Sequence, residues 1–128
     1  MDNRFTFDGR DDISIHVTNY MDTNFAIDLD CDEGGCGTLT INLSVPLGLY
    51  QAFVDTNNMR DAEQFIKDNN LGEKIGELGA GWCVYPLYQF NKDVLAQITP
   101  KECAEYEEFV NSPIDFSLEE DEFEEDER

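Results

Sequence analysis

Three segments within the first 45 residues alternate apolar and polar side chains with a period of two. Because successive side chains of a β-strand point to opposite faces, this alternation predicts half-buried strands over residues 12–19, 24–30 and 38–45. The positions expected to face the core are Ile13, Ile15, Val17, Phe25, Ile27, Leu29, Leu39, Ile41, Leu43 and Val45. The positions of the second segment expected to face solvent are Ala26, Asp28 and Asp30. Short polar loops indicate an antiparallel meander, preceded by an edge strand at Phe5 and Phe7.

Large apolar side chains are concentrated in residues 47–90. The aromatic members of this central stretch are Tyr50, Phe53, Phe65, Trp82, Tyr85, Tyr88 and Phe90. Aromatic side chains bury large areas, so we expect this stretch, Trp82 included, to supply most of the core. A strand is predicted over residues 50–55. A second strand is predicted over residues 82–90, where Pro86 indicates a bulge or an edge position.

Capping residues and apolar spacing predict three helical segments. The first follows Asn57-Asn58, takes an Asn as its N-cap and stops at Leu71-Gly72. Asn91 caps a short second segment. Residues 99–102 (TPKE) form a capping box with Pro at the first helical position, and this box opens the third segment. The inward residues of the first and third segments are Met59, Ala62, Phe65, Ile66, Cys103, Tyr106 and Val110.

The remaining segments complete the predicted organisation. Four glycines within residues 72–81 predict an exposed loop. Residues 113–128 contain nine acidic side chains and no packing pattern, so we expect a disordered tail. The predicted fold class is therefore α+β. It consists of one domain over residues 1–112, an antiparallel sheet of three to five strands packed with two or three helices, and the acidic C-terminal tail.

The charge balance restricts the partners of the chain. There are 29 acidic and 8 basic side chains, which give a formal net charge of −21 at pH 7. Such a surface repels nucleic acid and anionic lipid, and it attracts basic proteins, polycations or divalent metal ions. We find no secretion leader and no run of about 18 apolar residues, which predicts a cytoplasmic protein.

Four cysteines and one histidine are the soft metal ligands available. In the cytoplasm Cys31, Cys36, Cys83 and Cys103 are expected to be free thiols, whereas an oxidising compartment would allow two disulfides or a Cys31–Cys36 hairpin bridge. These cysteines with His16 could in principle hold zinc. The paired CxxC spacing of zinc sites is absent, however, and Cys103 falls on an apolar helix face where cysteine is usually a small core residue.

Two further patterns could carry chemistry. Residues 28–33 (DLDCDE) share the alternating carboxylates of a calcium loop, but the sixth position is Glu33 instead of Gly and the twelfth is Leu39 instead of Glu. We expect a solvated acidic hairpin, with a loose divalent site as the alternative. His16 is expected to face solvent without a nucleophile partner. The glycines of residues 72–81 lack phosphate-binding spacing. We therefore predict no enzyme activity and no cofactor.

The acidity itself indicates mimicry of nucleic acid. Outward carboxylates two residues apart on a strand lie about 6.6 Å apart, which is comparable to the spacing of successive phosphates. The predicted partner-binding carboxylates are Asp28, Asp30, Asp32, Glu33, Glu102, Glu105, Glu108, Glu119, Glu120, Asp121 and Glu122. Such a surface should be steered quickly to a basic nucleic-acid channel, and its binding should weaken as salt rises. The alternative is that the charge serves solubility alone.

Two resemblances bear on function. In size, acidity and α+β pattern the chain resembles the small anti-CRISPR and anti-restriction inhibitors encoded by phages and mobile elements. Separately, LYQAFVDTNN (49–58), AEQFIKDNNLG (62–72) and CVYPLYQFN (83–91) are similar to an uncharacterised family of short proteins on mobile elements of Gram-positive anaerobes. Together they imply a defence-counteracting protein whose target is an RNA-guided nuclease or a restriction enzyme, and they supply no site motif.

The predicted function is therefore a non-enzymatic inhibitor that occupies a basic nucleic-acid-binding protein in the bacterial host cell. The alternative is an adaptor or regulator that binds a protein through the aromatic central stretch, with the charge serving only solubility.

Overall fold

The computed structural model describes residues 3–111, which form two four-stranded antiparallel sheets and three helices. The first sheet has the order β1-β2-β3-β4, and its strands are β1 (Phe5–Phe7), β2 (Arg10–Asn19), β3 (Phe25–Cys31) and β4 (Gly34–Thr38). The second sheet has the order β5-β6-β8-β7, and its strands are β5 (Thr40–Ile41), β6 (Gln51–Val54), β7 (Gly72–Ala80) and β8 (Cys83–Phe90). The helices are α1 (Ala62–Asp68), α2 (Lys92–Ile98) and α3 (Pro100–Asn111). The predicted α+β class is confirmed.

One apolar core is shared by the two sheets and the helices. The inward side chains of β2 and β3 are buried, as the alternation predicts. At the centre the ring of Phe25 lies 5.1 Å from that of Tyr50, 5.4 Å from that of Phe90 and 5.1 Å from that of Tyr106. Such aromatic pairs each add about 0.5–1.5 kcal/mol beyond the burial of their area. The core therefore joins strands that are distant in sequence to the last helix.

The third alternating segment does not form the single strand predicted over residues 38–45. The chain leaves the first sheet after Thr38 and enters the second at Thr40. Leu39 makes this crossing, because its N–H donates to the carbonyl of Ile27 (2.8 Å) and its carbonyl accepts from Asp55 N–H (2.9 Å). Leu39 thus bonds to β3 through its N–H and to the residue after β6 through its carbonyl, and the strand that follows ends at Ile41 although the alternation continues to Val45.

The glycine-rich residues 72–81, predicted as an exposed loop, form β7 instead. The strand pairs with β8 from Gly72 opposite Phe90 to Ala80 opposite Cys83, with an irregularity after Lys74. Gly72 is needed for close approach, since a Cβ there would lie 2.7 Å from the carbonyl oxygen of Gln89. The missing side chains that suggested a loop thus permit close strand pairing.

The predictions for Pro86 and Trp82, both within the strand predicted over residues 82–90, differ in their outcome. Pro86 lies opposite Glu77 of β7, whereas β6 pairs with β8 only from Leu87 to Gln89. The predicted edge position is therefore confirmed locally, because β8 has a partner on one side only at Pro86. The prediction that Trp82 belongs to the core is wrong: its side chain is fully exposed at the turn between β7 and β8. The other six aromatic residues of the central stretch are buried.

Smaller differences concern caps and one side chain. Helix α1 is capped by Asp61 and not by an Asn, and its cap makes no side-chain hydrogen bond. Asn91 caps α2 as predicted, accepting from Val94 N–H at 3.4 Å. Helix α3 begins at Pro100 as predicted, whereas the tail predicted over residues 113–128 lies outside the described residues. Ala26, expected to face solvent, is buried.

The cysteines divide into a pair and two single thiols. Cys31 and Cys36 form a disulfide across the hairpin between β3 and β4, with their Cα atoms 6.0 Å apart. The structure thus has the Cys31–Cys36 hairpin bridge that the sequence offered as the alternative to free thiols, because the hairpin brings the two side chains together. Cys83 and Cys103 are free, and Cys103 is buried on α3 as predicted. Across residues 3–111 no helix has the length and apolar character needed to span a membrane.

Candidate acidic surface

The predicted carboxylates of β3 lie on the outer face of the first sheet. Both Asp28 and Asp30 are half-buried. Asp28 Oδ1 accepts a hydrogen bond from the hydroxyl of Thr38 on β4 at 3.0 Å. Asp30 Oδ2 lies 3.3 Å from His16 Nε2 on β2. These two carboxylates form a row on one strand, as predicted, and each also contacts a neighbouring strand.

Asp32 and Glu33 stand at the exposed turn between β3 and β4. Arg4 lies 3.4 Å from Asp32, and Arg10 lies 3.3 Å from Glu33. Exposed ion pairs of this kind contribute about 0–1 kcal/mol, because water and salt screen them. The two carboxylates therefore remain available to a more basic partner.

A tighter ion pair beside this turn was not predicted from the sequence. Arg10 donates two hydrogen bonds to the carboxylate of Asp12, from Nε at 3.0 Å and from Nη2 at 2.7 Å. The carboxylate of Asp12 also accepts from Asp32 N–H at 3.1 Å, which ties β2 to the hairpin turn. The hydrogen bonds from Arg10 are the main reason that the pKa of Asp12 lies far below its ordinary value. The sequence signal for this ion pair was the presence of opposite charges two residues apart, a spacing that places both side chains on the same face of a strand.

His16 connects the two groups of carboxylates that the sequence presents separately. Its Nδ1 lies 2.9 Å from Glu102 Oε2 on α3, and its Nε2 lies 3.3 Å from Asp30 Oδ2 on β3. The ring also lies 3.1 Å from the hydroxyl of Ser14. The side chain predicted to point to solvent is thus a bridge between the sheet and the last helix. No sequence signal identifies this contact, because His16 and Glu102 are 86 residues apart.

Glu102 is held by three hydrogen bonds and by burial. Besides the His16 contact, its Oε1 accepts from Val17 N–H at 2.9 Å and from the Thr99 hydroxyl at 2.8 Å. Burial raises the pKa of Glu102, but the three hydrogen bonds outweigh it and hold the pKa below its usual value. The Glu102 carboxylate takes the place of a neighbouring strand along the part of β2 that does not pair with β1. Asn3 does the same for Ile15, with contacts of 2.7 and 2.8 Å.

The other acidic residues of α3 divide between two sides of the helix. Glu105 and Glu108 are exposed and make no hydrogen bond or ion pair with other residues of the described range 3–111. Glu107 turns inward, where it accepts from the Tyr50 hydroxyl at 2.5 Å and lies 3.2 Å from Lys92. The Tyr50 hydrogen bond is the largest cause of the lowered pKa of Glu107.

The predicted carboxylates of the β3–β4 hairpin and of α3, which the contacts of His16 with Asp30 and Glu102 connect, are called the acidic surface below. Its members are Asp28, Asp30, Asp32, Glu33, Glu102, Glu105 and Glu108. The remaining predicted members, Glu119, Glu120, Asp121 and Glu122, lie outside the described residues. The acidic surface contains seven carboxylates, and two of them form ion pairs with the guanidinium groups of Arg4 and Arg10. The surface therefore has a clear excess of negative charge.

No group of three or more His, Cys, Asp or Glu side chains within residues 3–111 is arranged to hold a metal ion. The surface is therefore described by its charge alone.

A family model for a domain of unknown function, DUF4313, matches residues 14–112. The chain belongs to the DUF4313 family. The DUF4313 match includes every residue of the acidic surface, His16 and the second sheet, whereas β1 and the Arg10–Asp12 pair precede it. No curated protein and no solved structure is significantly similar to the chain.

Proposed function

We propose that this DUF4313 protein is a non-enzymatic inhibitor that occupies the nucleic-acid-binding channel of a basic protein, either an RNA-guided nuclease or a restriction enzyme. The supporting observation is the bridge from Asp30 through His16 to Glu102. It joins the carboxylates of β3 to those of α3. A channel that binds a nucleic-acid backbone needs a continuous array of negative charge, and two separate patches would not supply one.

The members of the acidic surface have different roles in this proposal. Asp32, Glu33, Glu105 and Glu108 are exposed, so they are the groups that Lys and Arg side chains of the channel can reach. Glu102 uses its oxygens inside the fold and positions the helix that carries Glu105 and Glu108. The exposed carboxylates steer the encounter, since charged groups at the rim of an interface act mainly on the association rate.

The proposed site of action is the cytoplasm of the bacterial host, where such nucleases work. Disulfides are rare in that compartment, so Cys31 and Cys36 are expected to be reduced there. The acidic surface does not depend on their bond, because Asp28 and Asp30 are paired within the ladders of β3 with β2 and β4.

The test is a cleavage assay with a panel of purified restriction endonucleases and guide-loaded RNA-guided nucleases. We expect at least one enzyme to be inhibited in proportion to the protein added, up to one equivalent, and to recover as DNA is increased. Complete inhibition by a small fraction of an equivalent would indicate turnover and contradict the proposal. Failure to inhibit any enzyme of the panel would contradict it as well.

A charge-matched pair of variants makes the assay specific. The acidic-surface variant replaces three Asp and one Glu by their amides, at Asp28, Asp30, Asp32 and Glu33. The control variant makes the same replacements at exposed positions elsewhere, at Asp61, Asp68, Glu73 and Asp93. We expect inhibition to weaken by about 100-fold in the first variant, as each lost ion pair weakens electrostatic association. The control should retain most of its potency, because net charge alone is not the proposed determinant.

The full exposure of Trp82 favours a second candidate function, that of an adaptor or regulator which binds a protein through an apolar contact. In that case the charge serves solubility, and neither variant should lose affinity for the partner.

A further inference from the structure

The β7–β8 hairpin extends beyond the rest of the second sheet. Pairing with β6 ends at Leu87, which lies opposite Gly76 of β7, so residues 77–86, called the arm below, consist of β7 and β8 alone with a turn at Gly81-Trp82. Tyr85 and Pro86 at the base of the arm are buried, and the turn end is exposed. Gly81 has a positive φ of 63°, as the first position of a tight two-residue hairpin turn requires. A hairpin of two strands has little stability by itself. Its projection into solvent is therefore a feature that needs a reason.

Exposed apolar side chains are concentrated on the arm. Within residues 3–111 there are seven exposed large apolar side chains, and three of them lie there: Leu78, Trp82 and Val84. Trp82 is as exposed as an isolated residue, at 104%. Tryptophan is strongly enriched among the residues that dominate binding energy at protein interfaces.

The arm also carries little charge for part of a strongly acidic molecule. Its only ionisable Asp, Glu, Lys or Arg residue is Glu77, and Glu77 lies 3.1 Å from Lys74 just outside the arm. The strand β7 is the last of its sheet, so its outer edge has no strand partner within residues 3–111. Natural proteins usually protect such an edge with charges or proline. On the arm this edge carries one charged side chain, Glu77, and an edge with so little charge beside an exposed Trp is suited to contact with another protein.

Charge decides which partner fits. A second copy would bring −21 against −21, and an anionic membrane would be repelled by the same charge. We infer that the arm is a second docking element for the same basic nucleic-acid-binding protein, with Trp82 entering an apolar pocket bordered by Lys and Arg side chains. This inference rests on the proposed function. It divides the contact into a salt-sensitive part, the acidic surface, and a salt-resistant part, the arm.

The test measures the dissociation constant of the inhibited enzyme for four proteins at low and high salt. They are the wild type, the acidic-surface variant, Trp82→Ala and Met21→Ala. Met21 is 98% exposed and lies outside the arm, so its replacement is the matched control for loss of an exposed apolar side chain. We expect Trp82→Ala to raise the dissociation constant about 30-fold at both salt concentrations, and Met21→Ala to change it less than about twofold.

The outcomes separate the two proposals. If Trp82→Ala binds like the wild type while the acidic-surface variant is weakened, the arm inference is wrong and the mimicry remains. If Trp82→Ala is weakened while the acidic-surface variant is not, the arm binds the partner but the proposed function is wrong. If the wild type binds no enzyme of the panel, both are wrong.

A second measurement follows Trp82 directly. It is the single tryptophan of the chain, so protein labelled with 5-fluorotryptophan gives one ¹⁹F resonance. We expect the resonance to shift when the inhibited enzyme is added, and to stay in place with polylysine, which has charge but no apolar pocket. A shift that depends on the concentration of the labelled protein alone would identify a second copy as the occupant and overturn the inference.

Discussion

The acidic surface and the arm differ in how far the fold itself uses their side chains. On the acidic surface, Glu102 and Asp30 contact residues of other elements, and Glu102 closes the free edge of β2. On the arm, Trp82 and Val84 are exposed, and neither belongs to the apolar core. Substitutions of Glu102 and Asp30 therefore affect stability and binding together. Substitutions on the arm should affect binding alone.

Replacement of Glu102 by Gln should have the largest effect on stability. The amide keeps one oxygen for Val17 N–H, but it loses the charge that three donors now share. Hydrogen bonds to charged groups contribute about 1.5–3 kcal/mol each when buried, so we expect a loss of about 2 kcal/mol in the free energy of unfolding at this partly exposed position. Urea denaturation measures it. Glu105→Gln, an exposed change on the same helix, is the control and should stay within about 0.5 kcal/mol of wild type.

The contrast would fail if both Gln variants were equally stable. Glu102 would then be one more surface carboxylate, and the bridge through His16 would not hold the sheet to α3.

The stability of the wild type should fall as the solution is acidified. The pKa values of Asp12, Glu102 and Glu107 are lowered in the folded protein. A carboxyl with a lowered folded pKa stabilises the fold above its ordinary pKa, near 3.8 for Asp and 4.5 for Glu, and that contribution is lost as the pH falls through the folded value. Unfolding free energies from neutral pH to below about pH 4 measure the loss.

Glu102→Gln should remove part of this acid dependence, because one of the three groups no longer titrates. Identical pH profiles for the variant and the wild type would mean that Glu102 is not bound more tightly in the folded protein than in the unfolded chain.

The smallest change in stability is expected on the arm. Trp82→Ala removes a side chain that is fully exposed, so the melting temperature should stay close to that of the wild type and the free energy within about 0.5 kcal/mol. Thermal unfolding followed by circular dichroism checks it. A loss of more than about 1 kcal/mol would mean that Trp82 supports the hairpin, and the arm would no longer be a pure contact element.

Local patterns predicted the parts of the fold that depend on near neighbours. The alternation in β2 and β3, the cap at Asn91 and the start of α3 at Pro100 depend on interactions within a few residues, and these predictions hold. The prediction over residues 38–45 failed because alternation does not reveal which sheet a strand joins. Residues 72–81 were misassigned because glycine lacks the side chain by which a strand pattern is recognised.

The acidic surface could be predicted only in its pieces. The carboxylates of the hairpin and of α3 are visible in the sequence, whereas their connection through His16 depends on a tertiary contact across 86 residues. The exposure of Trp82 was not predicted from the sequence. Its size suggested the core, while its place in a two-residue turn carries it away from any other element.

The most direct test of the proposed mimicry is the salt dependence of binding to the inhibited enzyme. The dissociation constant is measured from about 50 to about 500 mM salt for the wild type, the acidic-surface variant and the charge-matched control. We predict that the wild type and the control lose at least about 100-fold in affinity over this range, and that the acidic-surface variant shows a much shallower slope. Equal slopes for all three proteins would contradict the account.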